Sequence, residues 1–149
     1  MKANELRIGN WVLIPMSLDG VVIPSFEKQV RGIGLFGGID FTEPQFPGDL
    51  IIPAVHCAGI PLTEKWLLKF GFECWNECDE DGYAFYVLHN VIDGTSNFEV
   101  SLKNCKSYPS IDENCIYWGK TFYVHTLQNL YFALTGEELT IKEDDRKTL

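Results

Sequence analysis

The chain has 149 residues, of which 46% are apolar and 13% aromatic, enough for one ordinary domain or two very small ones with a genuine core. Its 21 Asp+Glu against 12 Lys+Arg give a formal net charge of −9, which argues against a general phosphate-binding surface and against attraction to anionic membranes. The charge is uneven: residues 1–72 hold seven acids and six bases, residues 73–149 fourteen acids and six bases.

Met1 to Arg7 lacks the apolar core of a signal peptide, and the longest apolar run, Leu50 to Val55, is broken by Pro53 and far shorter than the roughly 20 residues that span a bilayer. Five cysteines, Cys57, Cys74, Cys78, Cys105 and Cys115, are odd in number and form no compact framework, as expected of buried thiols in a reducing cytoplasm. The expectation is a soluble, cytoplasmic protein with no membrane segment.

Residues 1–55 read as a small β unit, with short strands at Leu6-Arg7-Ile8, Trp11–Ile14, Val21–Ile23 and Leu50–Ile52 separated by Gly, Pro and Asn. Residues 56–141 read as an α+β unit that shares a core with the first or packs separately. Thr63 is placed to cap a short helix, with Leu62 before it, Glu64 in its first turn, Lys69 in its last and Gly71 as its stop. Strands follow at Phe72–Trp75, Tyr83–Leu88, Phe98–Leu102 and Ile116–Trp118; the first two flank an acidic stretch ending in Asp81-Gly82, which is hairpin chemistry. Tyr83–Leu88 is apolar on both faces and therefore internal to the sheet. Leu127, Leu130, Tyr131 and Leu134 make the apolar stripe of a longer last helix, with Gln128 and Asn129 off the stripe and Gly136 as the stop. Residues 142–149 form a charged, flexible tail.

Gly32-Ile33-Gly34-Leu35-Phe36-Gly37 spells the dinucleotide-binding glycine pattern, but the sequence after it cannot open the helix whose N-terminus would receive a pyrophosphate. It reads as a turn between strands. Cys74, Cys78, His89 and Cys105 are the residues that a zinc site would use, with loose spacing and no second close pair. Glu77, Asp79, Asp81 and Gly82 begin like a calcium loop that then has Leu88 at its twelfth position, where a bidentate Glu is required. His125, at a helix start, and Cys57, beside His56, are the candidate acid-base and thiol groups, with no partner visible in the sequence. Aromatic residues crowd residues 66–86 and 117–132, more than one small interface readily hides, and Trp75, Tyr86, Trp118 and Tyr123 are the candidate interaction surface.

Three segments carry a resemblance: Glu5-Leu6-Arg7-Ile8-Gly9-Asn10-Trp11-Val12, Ile60 to Phe72 around Leu62-Thr63-Glu64-Lys65-Trp66, and Tyr123 to Leu139 around His125-Thr126-Leu127-Gln128-Asn129-Leu130. Together they resemble a family of small uncharacterised proteins of Bacteroides-type bacteria, their prophages and mobile elements. The resemblance implies an opening barrel-like β unit and a genomic setting, and no reaction. The expected fold is thus α+β: a small Src-homology-3-like partial β-barrel, then an antiparallel sheet with one short and one longer helix. The expected function is a non-enzymatic protein-interaction or structural module that binds a protein partner or itself, with no cofactor and no catalytic constellation. An acidic nucleic-acid mimic that inhibits a DNA-binding protein is the second reading, and a small thiol or metal enzyme using Cys74, Cys78 or His125 the third. Direct nucleic-acid binding is least excluded around Lys2, Arg7, Lys28 and Arg31.

Overall fold

The computed structural model of the protein describes residues 1–18, 21–41, 51–76, 79–104, 106–116 and 123–142. Among them are ten strands, all paired antiparallel, and two α-helices, which makes the fold α+β. The chain divides into two compact units, residues 1–60 with 123–130 and residues 61–122 with 131–149.

In the first unit a 3-10 turn, Ala3–Glu5, precedes strands β1 (Trp11–Leu18) and β2 (Val21–Gln29). Leu6-Arg7-Ile8 is not a strand, because the side chain of the fully buried Asn10 folds back to accept the Arg7 amide at 2.8 Å and closes a turn there. The β1–β2 ladder runs from Trp11↔Gln29 to Leu18↔Val21 and slips between Ile14 and Met16, at Pro15, which has no amide to donate. A separate sheet joins β3 (Gly32–Ile33), β4 (Gly38–Asp40) and β5 (Ile51–Pro53). The glycine pattern is therefore a hairpin, closed by Gly34 N–H to Gly38 O at 2.8 Å and turned by Gly37 at φ +77°. Both sheets feed one core of Leu6, Val12, Ile14, Val30, Ile39, Phe41, Ala54 and Cys57. The ladder is interrupted between β2 and β3, so no closed barrel exists among the described residues, and the two sheets make a small antiparallel β unit.

Helix α2 (Val124–Thr135) gives its first half to this unit. Leu127 is fully buried, and so, against its placement off the apolar stripe, is Gln128. The Gln128 amide explains this: Nε2 donates to Gly9 O at 3.1 Å and Oε1 accepts from the Trp11 amide at 2.9 Å. A buried side chain whose polar atoms are paired in this way carries little of the usual desolvation cost.

The second unit opens with α1 (Glu64–Lys69), which starts at Thr63 and stops at Gly71, φ +85°, where Phe72 N–H returns to Leu67 O at 3.0 Å. The Thr63 hydroxyl makes no capping bond; its carbonyl accepts from Trp66 and Leu67 instead. A five-stranded sheet follows in the order β10-β9-β8-β7-β6, made of β6 (Glu73–Asn76), β7 (Ala84–Ile92), β8 (Ser96–Lys103), β9 (Lys106–Ile111) and β10 (Asn114–Cys115). The β6–β7 hairpin closes as the Asp81-Gly82 pair predicts, with Tyr83 N–H on Asp79 Oδ1 at 2.8 Å and Gly82 at φ +80°. Strand β7 is internal, and Tyr86, Val87 and Leu88 are all buried.

Strand β9 has no counterpart in the sequence reading because Pro109 sits at its middle; its amide-free position is accommodated while its carbonyl accepts from Ile116 at 2.9 Å. Ile116 follows β10 and is not a strand residue, and Tyr117 and Trp118 lie outside the described residues. One face of the sheet holds Phe98, 5.9 Å from the rings of both Phe72 and Tyr131, and forms the core of this unit. Lys142, at the start of the charged tail, bonds through its amide to Lys69 O at 2.9 Å; residues 143–149 lie outside the described residues.

Candidate functional site

The opposite face of the five-stranded sheet is an open concavity of about 480 Å³. Register decides what lines it. Side chains alternate across a strand, so Tyr86, Leu88, Phe98 and Val100 point to the core while Phe85, Val87, Glu99 and Ser101 point the other way. Two cross-strand rows result: Cys115, Ser110, Glu99 and Val87 in one, and Tyr108, Ser101, Phe85 and Asn76 in the next. The β6–β7 ladder shifts between Cys74 and Asn76, and Trp75 sits at this irregularity, 71% exposed on the rim.

Glu99 is the fixed charge of this face. Its Oε2 accepts from Ser110 Oγ at 3.2 Å and from the Glu113 amide at 3.1 Å. That amide is aimed by the two-residue β9–β10 turn, in which Asp112 and Glu113 both take positive φ, 43° and 68°. Asp112 in turn accepts the Asn97 amide at 2.8 Å, and this bond, with one from Ser96, holds its carboxyl below the usual range. At the edge of the same face Tyr83 packs edge-on to Tyr108, with centroids 5.6 Å apart, and the Lys103 ammonium lies 4.3 Å over the Tyr83 ring.

Of the four residues chosen from sequence, Trp75 is on this surface. Tyr86 is not: it is 2% exposed, and its phenol is held protonated by burial and by its bonds to Glu64 and Cys74. Tyr123 belongs to the first unit, and Trp118 lies outside the described residues. Glu99, Ser110 and Tyr108 belong to no motif in the sequence, and the sheet register brings them to this face. The alternation Phe98-Glu99-Val100-Ser101-Leu102 was the available signal for a polar stripe opposite the core; nothing local marked the strand through Pro109 that completes it.

A second cavity, about 570 Å³, opens in the first unit, with both Cys57 and His125 in its lining. His125 stacks on Tyr123 at 5.8 Å with planes 10° apart, and its Nε2 lies 3.5 Å from Thr126 Oγ1. Burial keeps the imidazole neutral, and burial also raises the Cys57 thiol, whose Sγ points to Pro53 O at 3.9 Å. Both shifts oppose a thiolate-imidazolium pair, which needs a lowered thiol and a protonated ring.

Cys78, Cys105 and Glu77 lie outside the described residues. Cys74 is exposed on β6, and the half-exposed His89 lies 3.7 Å from Glu73 Oε2. Among the described residues no three His, Cys, Asp or Glu side chains converge on a common point, and no helix is long and apolar enough to cross a membrane. The acids of the turns are divided between the two ends of the sheet, with Asp79, Glu80 and Asp81 between β6 and β7 and with Asp93, Asp112 and Glu113 at the other end. No protein-family model, curated protein or solved structure matches the chain.

Proposed function

We propose that this protein is a non-enzymatic protein-interaction module of a phage or mobile element, working in the cytoplasm, with the open face of the five-stranded sheet as its contact surface. One observation carries the reading: a concave sheet face bearing aromatic side chains, with Trp75 standing 71% exposed at its rim, where a monomer would be expected to hide so large a ring. Residues of this kind in a concavity dominate the energetics of protein interfaces. The fully exposed Leu35 and Phe36 at the β3–β4 tip add a second apolar contact point. The resemblance of the three segments to proteins of prophages and mobile elements supports the origin. One core fed by two short antiparallel sheets supports a Src-homology-3-like, partial barrel as the ancestry of the first unit.

Affinity capture from a bacterial lysate, together with sedimentation velocity, tests the reading with the native chain and the Trp75→Ala variant. A protein partner or a self-associated species present with the native chain and lost with the variant supports it. A monomer that retains nothing, or retains the same proteins in both forms, overturns it.

A further inference from the structure

We infer that the sheet concavity takes a basic side chain, an arginine first, presented by a protein partner. The inference rests on the interaction reading above and names the chemistry of that same surface. Glu99 stands at the middle strand of the sheet, with its carboxylate held by Ser110 and by the Glu113 amide. Phe85 pairs with Ser101 and so does Tyr108, which makes both rings diagonal neighbours of Glu99, one on each flanking strand. Diagonal neighbours stand roughly 7–8 Å apart, so a cation seated over the Glu99 carboxylate lies within reach of both ring faces.

The two bonds that Glu99 receives fall on Oε2, and a carboxylate offers about four lone-pair sites in all. A guanidinium can therefore donate to this carboxylate while its flat face rests on an aromatic ring, which a compact ammonium does less well. Glu113 adds a second acid to the lining, Ser101 adds a hydroxyl, and no Lys or Arg is among the described lining residues. The chain itself places a cation on this aromatic row: Lys103, on the same face of β8, holds its ammonium 4.3 Å over the ring of Tyr83, which packs on both Phe85 and Tyr108. The net charge of the chain, −9, points the same way for a basic partner approaching from solution.

The test uses the full chain and two blocked pentapeptides, Gly-Gly-Arg-Gly-Gly and its counterpart with citrulline in place of arginine, the neutral isostere. Each is titrated to tens of millimolar while the backbone and Trp75 indole resonances are followed by NMR, with the lysine peptide as a further arm. The arginine peptide is expected to shift Trp75, Phe85, Glu99 and Tyr108 resonances and to bind about tenfold more tightly than the citrulline peptide, a preference that shrinks in high salt. Glu99→Gln, which keeps the shape and the acceptor for the Glu113 amide, should remove that preference with the spectrum otherwise unchanged. Should Glu99→Gln fail to fold, the Tyr108→Leu variant, which keeps the carboxylate and removes one of the two rings, should weaken the arginine preference by about two- to fivefold. Equal affinity for the two peptides, no shifts in the concavity, or an unaltered preference in the variants overturns the inference. If capture of a partner still depends on Trp75 in that case, the surface binds a neutral or acidic partner and only the basic ligand is refuted; if that dependence is also absent, both readings fall.

Discussion

Gly59 and Tyr123 lie so close that a β-carbon placed on Gly59 would stand 2.6 Å from Cγ and Cδ1 of the tyrosine ring and 3.1 Å from Cε1 of His125. The Tyr123–His125 stack therefore needs glycine at position 59 for space. Gly59→Ala should force the stack aside and cost about 1–3 kcal/mol, as overpacking does. Gly34→Ala, whose added carbon meets only Gly38 O at 3.5 Å, should be neutral or slightly stabilising. Urea denaturation of the two variants decides it, and equal midpoints would show that the stack moves freely.

The neutral imidazole of His125 ties stability to pH. Burial holds its pKa below the ordinary 6.5, the chain's amino terminus acts in the same sense, and Glu5 opposes them. Well above pH 6.5 folded and unfolded chains are both neutral at this site, and the contribution is constant. As pH falls below 6.5 the unfolded chain takes up a proton that the folded chain refuses, so stability declines until the folded pKa is passed. The slope approaches about 1.4 kcal/mol per pH unit at most. Denaturation midpoints followed from pH 7 down to about pH 5.5 should fall more steeply for the native chain than for His125→Gln. Parallel profiles would mean that the ring titrates in the folded chain as it does in the unfolded one.

What the sequence made legible follows from where the information is local. The short helix was readable because Glu64, Lys69 and Gly71 act within two turns, and the acidic hairpin because Asp81-Gly82 needs no distant partner. Leu6-Arg7-Ile8 has the alternation of a strand, but the buried Asn10 takes the Arg7 amide and closes a turn there instead. Gln128 looked solvent-facing because its partners, Gly9 and Trp11, are more than a hundred positions away. The candidate site shows the same division. Trp75 was identifiable as an aromatic in excess, whereas Glu99 and Tyr108 become neighbours only through the register of two strands, one of them hidden behind a proline.

Phe98 and Phe36 separate core from surface with one residue type. Phe98 is fully buried between Phe72 and Tyr131, and Phe36 is fully exposed at the β3–β4 tip. Phe98→Ala should cost roughly 3–5 kcal/mol, through lost burial and the cavity left behind. Phe36→Ala should stay within about 0.5 kcal/mol. Chemical denaturation at two protein concentrations reads both. A concentration-dependent loss in Phe36→Ala would place the tip inside an assembly.

Cysteine reactivity bears on the thiol-enzyme reading. A nucleophilic cysteine is a thiolate with access to its substrate, so it is normally the first to be alkylated. Cys57 has the reverse properties: it is 4% exposed, burial raises its pKa, and its Sγ points to a backbone carbonyl. Cys74 stands exposed on β6, at the edge of the five-stranded sheet. Brief treatment of the native protein with iodoacetamide at neutral pH, followed by peptide mapping, should modify Cys74 at least about tenfold faster than Cys57. In urea the two rates should converge, since both thiols are then exposed to solvent. Preferential labelling of Cys57 in the folded protein would require an activating group beside it and would bring the cavity that it lines with His125 back as a catalytic site.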